Sequence, residues 1–358
     1  MSPPSTDAKE STVMPATAQG SDPTSEIDAL LLETIDRLCA AQADRQTRER
    51  AEQGHWPAQL WSAFVDIGLT RCLLPESAGG SGLALASALR ALRRTAYHGV
   101  PLPLAEAMIA TRLLQAAQLE VPAGVLAVGA ADADGLLPRV AWGEQCDFVV
   151  AIESSPEGEA VALYGGKPRI VRGERNLAGE PRTALSVDTM QRIAREPLPD
   201  AAALLMRYGA LARSAQMVGA LERALELSLQ YANERVQFGR PIGKFQAVQH
   251  LLAVQASHAA AASAACEAAL DSPGVHPDEL LVAIAKARIS EAAGQGADIA
   301  HQVHGAMGFT REHVLHNVTR RLYAWRDEYG NEVYWQRRIG LMVGAQGADA
   351  LWPMLTAL

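Results

Sequence analysis

The segment from Tyr231 to His250 carries the residue types and spacing best suited to holding a charged ligand. Its helical pattern breaks at 238–241 and resumes afterwards, so Arg235 and Gln237 lie at a turn between two helices. A guanidinium beside exposed backbone amides at such a turn can hold a diphosphate through charge-assisted hydrogen bonds. The alternative is an arginine with a purely structural role, and the residues alone leave both interpretations open.

Three other segments contain chemically capable side chains in weaker patterns. His301 and His304 lie three residues apart, but without a third ligand they are poor indicators of a metal site. The glycine-rich loop at 74–83 follows no strand and lacks a Lys-Ser/Thr ending, which favours a connector over a phosphate cradle. The basic residues within 167–175 indicate either a patch that attracts the phosphates of a ligand or a charged strand edge.

Composition narrows the class of protein. The chain has 358 residues, of which 49% are hydrophobic and 20% are charged, and its formal net charge is −8. An acidic chain without a basic run is a poor nonspecific nucleic-acid binder. The four cysteines are widely separated, which favours buried free thiols in a reducing compartment. Because we find neither a membrane-spanning apolar run nor a secretory signal, we expect a cytoplasmic protein.

Apolar periodicity divides the chain into the segments that must position these residues. Residues 1–25 are rich in Ser, Thr and Pro and predict a disordered leader. Residues 26–120 have helical spacing, and residues 121–199 consist of short apolar runs separated by turn formers. Helical spacing returns over 200–358. The predicted fold is mainly α, with an N-terminal helical domain, a small middle β domain and a C-terminal helical bundle.

The run that starts at Arg235 closely resembles the acyl-CoA dehydrogenase family, whose members carry a similar Arg-x-x-Phe-Gly-x-x-Ile-x-x-Phe-Gln-x-x-Gln sequence. Residues 302–309 are similar to the family's Gln-x-x-Gly-(Gly/Ala)-x-Gly-(Phe/Tyr) turn, and 74–83 resemble its LPExxGGxGL loop. The resemblance implies a C-terminal four-helix bundle that contacts the FAD of a neighbouring subunit. The cofactor-binding residues that it implies are Arg235, Gln237, Phe238, Phe245, Gln246, Gln302, Gly305 and Asn331.

The family's catalytic carboxylate is missing from both of its usual positions. One position falls at Tyr329, whose phenol is a poor base because its ordinary pKa is about 10. The other falls at Gly209, on the first long helix of the C-terminal domain. The adjacent Glu328 is the one alternative base. The other interpretation pairs Asp327 and Glu328 with arginines on a solvated or interfacial surface. Those arginines are Arg320, Arg321 and Arg326.

The retained and the missing motifs together suggest a division of labour. The middle domain lacks the family's sequence motifs that contact the isoalloxazine. The C-terminal motifs that contact the FAD of a neighbouring subunit are present. The resemblance therefore implies a subunit of an α2β2 assembly that oxidises an acyl-CoA between its α and β carbons. Its homologous partner would supply the base, and an electron-transfer flavoprotein would accept the electrons. The alternatives are a self-sufficient homo-oligomer that uses Glu328, and a structural subunit that binds no flavin.

Overall fold

The computed structural model describes residues 23–356, which begin with five helices. Most of the predicted leader lies outside the described residues. The first described helix begins at Pro23. Asp44 caps α2 by accepting a hydrogen bond from the Thr47 amide at 2.7 Å. The N-terminal helices are α1 (Pro23–Gln42), α2 (Arg45–Glu52), α3 (Ala58–Asp66), α4 (Leu85–Tyr97) and α5 (Leu104–Ala116).

The middle of the described chain forms two sheets. In the first, with order β1-β3-β4-β7, β1 and β3 are parallel and the other pairs are antiparallel. The second is antiparallel with order β2-β6-β5. The strands are β1 (Leu126–Ala131), β2 (Leu136–Ala141), β3 (Phe148–Ser155), β4 (Gly158–Gly165), β5 (Arg169–Arg175), β6 (Pro181–Ser186) and β7 (Gln191–Pro197).

Strand β3 explains why the sequence of this domain contains short, continuous apolar segments. Val149 and Ala151 pack into a core shared with the second sheet, whereas Val150 and Ile152 pack against the helices. Both faces of the strand are buried, so its sequence is continuously apolar instead of alternating. The basic segment that includes Arg169 lies on β5, at the edge of the second sheet, and Arg169 pairs with Asp188 at 2.6 Å. This is the charged strand edge of the two interpretations offered above.

The C-terminal helices form a bundle around α6 and α8. Gly219 of α6 lies against α4, where an added Cβ would be 2.0 Å from the Arg93 carbonyl oxygen. Asp278 caps α8 through the Leu281 amide at 2.9 Å. The elements are α6 (Ala201–Glu234), the short strands β8 (Val236–Gln237) and β9 (Arg240–Pro241), α7 (Gln246–Leu270), α8 (Glu279–His304), α9 (Leu315–Asp327), α10 (Glu332–Gln346) and α11 (Leu351–Thr356).

The mainly helical three-part fold is thus confirmed. The four cysteines, at 39, 72, 146 and 266, are buried and free. Within residues 23–356, no helix combines the length and apolar character that crossing a membrane requires. In the same part of the chain, no group of three or more His, Cys, Asp or Glu side chains is arranged to hold a metal ion.

Candidate functional site

The turn after α6 is a two-residue hairpin that presents an aromatic ring to solvent. Strands β8 and β9 flank Phe238 and Gly239, whose φ values are +50° and +77°. Two positive φ values give the type I′ geometry that suits such a hairpin. A bulky residue seldom adopts positive φ, yet here Phe238 does so and is 91% exposed. Arg235 precedes the hairpin, is exposed, and makes no side-chain ion pair or hydrogen bond with the described residues.

The end of α8 presents a second exposed ring. Gly305 ends the helix with a φ of +56°, a conformation that glycine adopts without steric cost. The chain continues through a short 3₁₀ turn to Phe309, which is 74% exposed and stacks on His301 with ring centroids 4.3 Å apart. The His301 Nδ1 atom is buried and has no hydrogen-bond partner among the described residues. Gln302 is exposed at the same helix end.

These two turns lie side by side. Tyr231 in the last turn of α6 stacks on His304 at the end of α8, with ring centroids 4.5 Å apart. A small apolar cluster also joins Ile242 after the hairpin, Val248 near the start of α7 and Val303 near the end of α8. We call this end of the bundle the hairpin face. Its predicted cofactor-binding residues are Arg235, Gln237, Phe238, Phe245, Gln246, Gln302 and Gly305.

Phe245 supports the hairpin from one side. Its ring meets Phe238 edge-on with centroids 6.1 Å apart, and the Arg240 guanidinium carbon lies 4.3 Å from the Phe245 centroid. Gln246 begins α7 and is exposed. A cation–π contact and an edge-to-face ring pair therefore fix the hairpin relative to α7.

The other two predicted site residues, Glu328 and Asn331, lie at the opposite end of α9. Thirteen residues of α9 correspond to about 20 Å at 1.5 Å per residue. The Asn331 side chain caps α10 by accepting a hydrogen bond from the Tyr334 amide at 3.1 Å. Its predicted cofactor contact stays a prediction, and the structure gives this amide a helix-capping role.

Tyr329 and Gly209, the two positions at which the resemblance places a base, are in contact with each other. A Cβ on Gly209 would lie 2.2 Å from a ring carbon of Tyr329, so the phenol packs directly against the backbone of α6. The Tyr329 carbonyl accepts a hydrogen bond from Nε1 of Trp335 at 3.0 Å. Burial, and then the charge of Glu106, raise the pKa of Tyr329 above its ordinary value. Neither position supplies a proton acceptor near neutral pH.

Six charged side chains around Tyr329 form a continuous series that we call the ion-pair chain. Three are carboxylates and three are guanidiniums, so the chain is neutral, and each side chain is at most 12% exposed. One lies on α5 of the N-terminal domain, and two lie on or just before β6 of the middle domain. The other three lie on α6, on α9 and just after α9, so the chain joins all three domains. In order along the chain they are Glu106, Arg213, Glu328, Arg182, Glu180 and Arg321.

Glu328 lies at the centre of this chain. Its two carboxylate oxygens accept hydrogen bonds from Nε of Arg182 at 2.8 Å and from Nε of Arg213 at 2.7 Å, and Asn176 donates a third at 3.1 Å. Burial alone would raise the pKa of Glu328. The two guanidiniums and the hydrogen bonds outweigh burial and lower this pKa to about 2. A carboxylate held this way is a weak proton acceptor near neutral pH.

The predicted pairing of Asp327 and Glu328 with neighbouring arginines was wrong. Each of those arginines has another partner: Arg320 pairs with Glu52, Arg321 with Glu180 and Arg326 with Glu332. The end of α9 turns Glu328 inwards, because Glu328 has an extended backbone and follows the last helical residue. Its partners therefore come from the middle domain and α6, and its side chain is buried where a surface position was expected. These partners are Arg182 and Arg213.

A cleft of about 480 Å³ between the middle domain and α6 borders the ion-pair chain. Its walls include Glu106, Arg213, Glu328 and Tyr329, together with backbone of β1 and β2. Charged side chains dominate the part of the cleft next to Tyr329. An apolar acyl chain would have to displace these paired charges or leave them without water, and both are costly.

Buried Lys286 fixes the turn that carries Glu328. Its ammonium donates to the carbonyls of Trp325, Arg326 and Gly330 at 3.3, 2.8 and 2.7 Å. Two of these carbonyls belong to the last turn of α9, where a cation is favourable. Burial lowers the pKa of Lys286 to about 7, although nearby Glu328 acts in the opposite direction.

Sequence reasoning missed most of the ion-pair chain, although a signal was present. Glu106 lies inside the largely apolar segment Leu104–Leu114, and Arg213 lies inside the largely apolar part of α6 from Leu204 to Leu221. Isolated charges of opposite sign within two helices that otherwise bury apolar faces indicate a buried pair. Glu180 and Arg182 carry no comparable signal, because charges are common in short strand-and-turn sequences.

Comparison with known proteins agrees with this architecture. The model of the acyl-CoA dehydrogenase N-terminal domain matches residues 25–121, and that of the C-terminal domain matches residues 200–332. An acyl-CoA dehydrogenase of Mycobacterium tuberculosis, IpdE2, is 30% identical over 302 residues, which cover 82% of this chain and 90% of the relative.

Solved structures show the same fold. A variant of the Tcur3481-Tcur3483 steroid ACAD superposes with a TM-score of 0.77 at 22% identity, over 91% of this chain and 99% of that one. A chain of the ChsE4-ChsE5 complex from Mycobacterium tuberculosis gives 0.76 at 22% identity, over 90% of this chain and 97% of that one.

Proposed function

This chain belongs to the acyl-CoA dehydrogenase family, and from that premise we propose that it is the subunit of a heteromeric enzyme that lacks the catalytic base. It contributes the hairpin face to a shared FAD site, and a homologous partner contributes the base and the acyl pocket. The assembly oxidises an acyl-CoA thioester between its α and β carbons and passes the electrons to an electron-transfer flavoprotein.

The observation that carries the proposal is the closed base site. The Tyr329 ring fills the space over Gly209, and Glu328 is ion-paired on both of its carboxylate oxygens. Removing the α-proton of a thioester needs a carboxylate that is free to approach the substrate and is basic near neutral pH. Neither Glu106 nor Glu328 meets both conditions, because each is ion-paired with Arg213.

The hairpin face has the opposite character, since its side chains are presented outwards. Arg235 has no ion-pair partner in the described chain, and the exposed Phe238 is held at a positive φ. Strain of this kind costs about 1–2 kcal/mol and is common where a ligand is held. An exposed guanidinium beside two exposed rings, Phe238 and Phe309, fits the diphosphate and adenosine of a dinucleotide.

FAD thus fits one end of this chain and not the other. When bound, FAD accepts a hydride from the β carbon of the substrate. The residues that would hold its diphosphate are Arg235 and Gln237, with Phe238 covering the ribityl side and Phe245 and Gln246 near the adenine. The cleft beside Tyr329 is lined by paired charges and offers no equivalent surface to the isoalloxazine. This asymmetry is expected if the reactive end of the flavin lies in the partner.

Two similarities are consistent with a partner and with a steroid-derived acyl group. One solved neighbour is described as a complex of two named chains, ChsE4 and ChsE5, and another as a steroid ACAD with two named chains. We extend both properties to this chain as part of the proposal. The buried, free state of all four cysteines also supports a reducing compartment, which we propose is the cytoplasm.

The test is to purify the chain alone and together with the product of an adjacent acyl-CoA dehydrogenase gene, and to record flavin absorbance and particle mass each time. We expect the pair to be yellow with about one FAD per two chains, and Arg235→Ala to reduce the FAD content at least tenfold. Arg37→Ala, which removes an exposed arginine of α1 that pairs only with Glu33, is the matched control. A lone chain that is a yellow homo-oligomer and is bleached by an acyl-CoA would refute the proposal.

A further inference from the structure

A second cavity, of about 410 Å³, lies where the N-terminal helices α1, α2 and α4 meet α6 and α9. We call it the basic cavity, because its lining contains four arginines and one carboxylate. It is separate from both the hairpin face and the cleft beside Tyr329. Its charged lining residues are Asp36, Arg48, Arg94, Arg223 and Arg321.

Three of the four arginines are paired with carboxylates. Arg94 donates from Nε and Nη2 to the two carboxylate oxygens of Asp36, which also contacts Nε2 of His98 at 2.7 Å. Arg223 donates to Glu226, three residues further along α6. The one lining carboxylate is therefore fully used. Arg321 pairs through Nε with Glu180 and keeps only Nη2 without a partner, so the charge that remains comes from Arg48.

Arg48 and Arg321 lie close together without an anion between them. A Cβ on Gly99 would lie 3.4 Å from Cδ of Arg48 and 3.6 Å from Nη1 of Arg321, so both side chains border the same small volume. Arg48 makes no ion pair within residues 23–356 and donates only to the carbonyls of Ala43 and His98. Burial, and then the charge of Arg321, lower the pKa of Arg48.

Three polar atoms around this volume have no hydrogen-bond partner in the described chain. They are Nε of Arg48, Nη2 of Arg321 and Oδ1 of Asn317. The Arg321 side chain is 1% exposed and Asn317 is 4% exposed, so water does not readily satisfy them. The oxygen and nitrogen of an asparagine amide exchange places by a simple flip, so Asn317 can also turn a donor towards the cavity. Buried polar atoms that lack a hydrogen-bond partner in this way destabilise the folded chain.

We propose that the basic cavity binds a phosphate group, either inorganic phosphate or a small phosphomonoester. A phosphate dianion offers several acceptor oxygens at once, which suits two guanidiniums that approach from α2 and α9. The volume is at the small end of the range for ligand pockets. Recognition is confined to the phosphate, because the Tyr97 ring already contacts two guanidiniums, that of Arg94 at 4.4 Å and that of Arg223 at 5.5 Å.

The experiment measures the thermal midpoint and the calorimetric affinity of the full chain, with its partner where the two co-purify, in sodium phosphate and in sodium chloride of equal ionic strength. We expect phosphate to raise the midpoint and Arg48→Gln to weaken phosphate binding at least tenfold. Arg37→Gln is the matched control for losing an arginine, and it should bind phosphate as the unmodified chain does.

A second variant tests the proposal by gain of stability, which unfolding cannot mimic. Asn317→Asp introduces a carboxylate of the same shape beside Arg321. We expect this variant to have a higher midpoint in chloride and to lose its response to phosphate. The proposal is wrong if phosphate and chloride act alike on the unmodified chain, or if Asn317→Asp responds to phosphate as the unmodified chain does. Parallel titrations with inorganic phosphate and AMP identify the source, since the natural form should bind more tightly.

Discussion

Replacing Glu328 by glutamine separates a structural carboxylate from a catalytic one. The substitution keeps the shape of the side chain and removes the charge that Arg182 and Arg213 share. Lowering the pKa of this carboxylate from 4.5 to about 2 corresponds to about 3 kcal/mol. Removing one partner of a buried ion pair typically costs about 3–5 kcal/mol. We therefore expect Glu328→Gln to lower the free energy of unfolding at pH 7 by about 3–5 kcal/mol.

The pH dependence of this loss has a definite sign. Because the folded-state pKa lies below the unfolded value of 4.5, Glu328 contributes its full stability above about pH 4.5. That contribution is lost as the pH falls through 2, and only below this pH is the carboxylate protonated in both states. The difference in unfolding free energy between the unmodified chain and Glu328→Gln should thus shrink by about 1 kcal/mol between pH 7 and pH 3.5.

The assay is urea unfolding followed by circular dichroism at both pH values, with turnover of the assembly measured well below the unfolding midpoint. Glu33→Gln is the control, because Glu33 forms only an exposed pair with Arg37 at 3.5 Å. Its unfolding free energy should match that of the unmodified chain. In the assembly with its partner, Glu328→Gln should retain turnover per folded particle. A Glu328→Gln chain that is as stable as the unmodified one but inactive would falsify the reasoning, and Glu328 would then be the base.

Three further outcomes follow from the packing of the described residues. Gly219→Ala should destabilise the chain by about 1–3 kcal/mol, because its Cβ would lie 2.0 Å from a carbonyl oxygen of α4, whereas Gly344→Ala on open α10 should be neutral or stabilising in urea unfolding. Lys286→Met leaves three carbonyls without their donor and should cost about 3 kcal/mol or more by the same measurement, with exposed Lys244→Met unchanged as control. Burial raises the pKa of each of the four thiols to about 12, so the native chain should not react with a thiol reagent at pH 8 until urea unfolds it; prompt labelling of any thiol would contradict its burial.

The fold could be predicted from the sequence because periodicity and caps are local signals. The start of α8 follows from Asp278, whose side chain caps the helix as its position predicts. The two turns of the hairpin face could also be placed, because glycines and an ordered run of residues mark them. Their proximity depends on helix packing, seen in the contact between Tyr231 and His304, which no local pattern encodes.

The ion-pair chain was beyond local reasoning for a different physical reason. Arg182 and Glu328 are 146 positions apart in the sequence, and their pairing depends on how the middle domain lies against α9. A charged residue in a short loop looks the same whether it is solvated or buried, and the free energy that separates the two cases comes from distant partners. The sequence-based expectation of a surface pair for Glu328 therefore failed where only tertiary structure could decide.

The two ends of the C-terminal bundle place opposite demands on their side chains. Near Tyr329 the charges pair internally, so a carboxylate there stabilises the junction of three domains at the expense of basicity. At the hairpin face, Arg235 has no ion-pair partner within the described residues, and Phe238 stands exposed at a positive φ, which costs energy. A chain that worked alone would need a carboxylate without ion-pair partners at its base site, because a proton acceptor must be free when the substrate binds. A subunit that completes the site of another chain needs exposed, unpaired side chains at the end that meets that site. Its charges at the other end can be ion-paired, because no proton acceptor is required there.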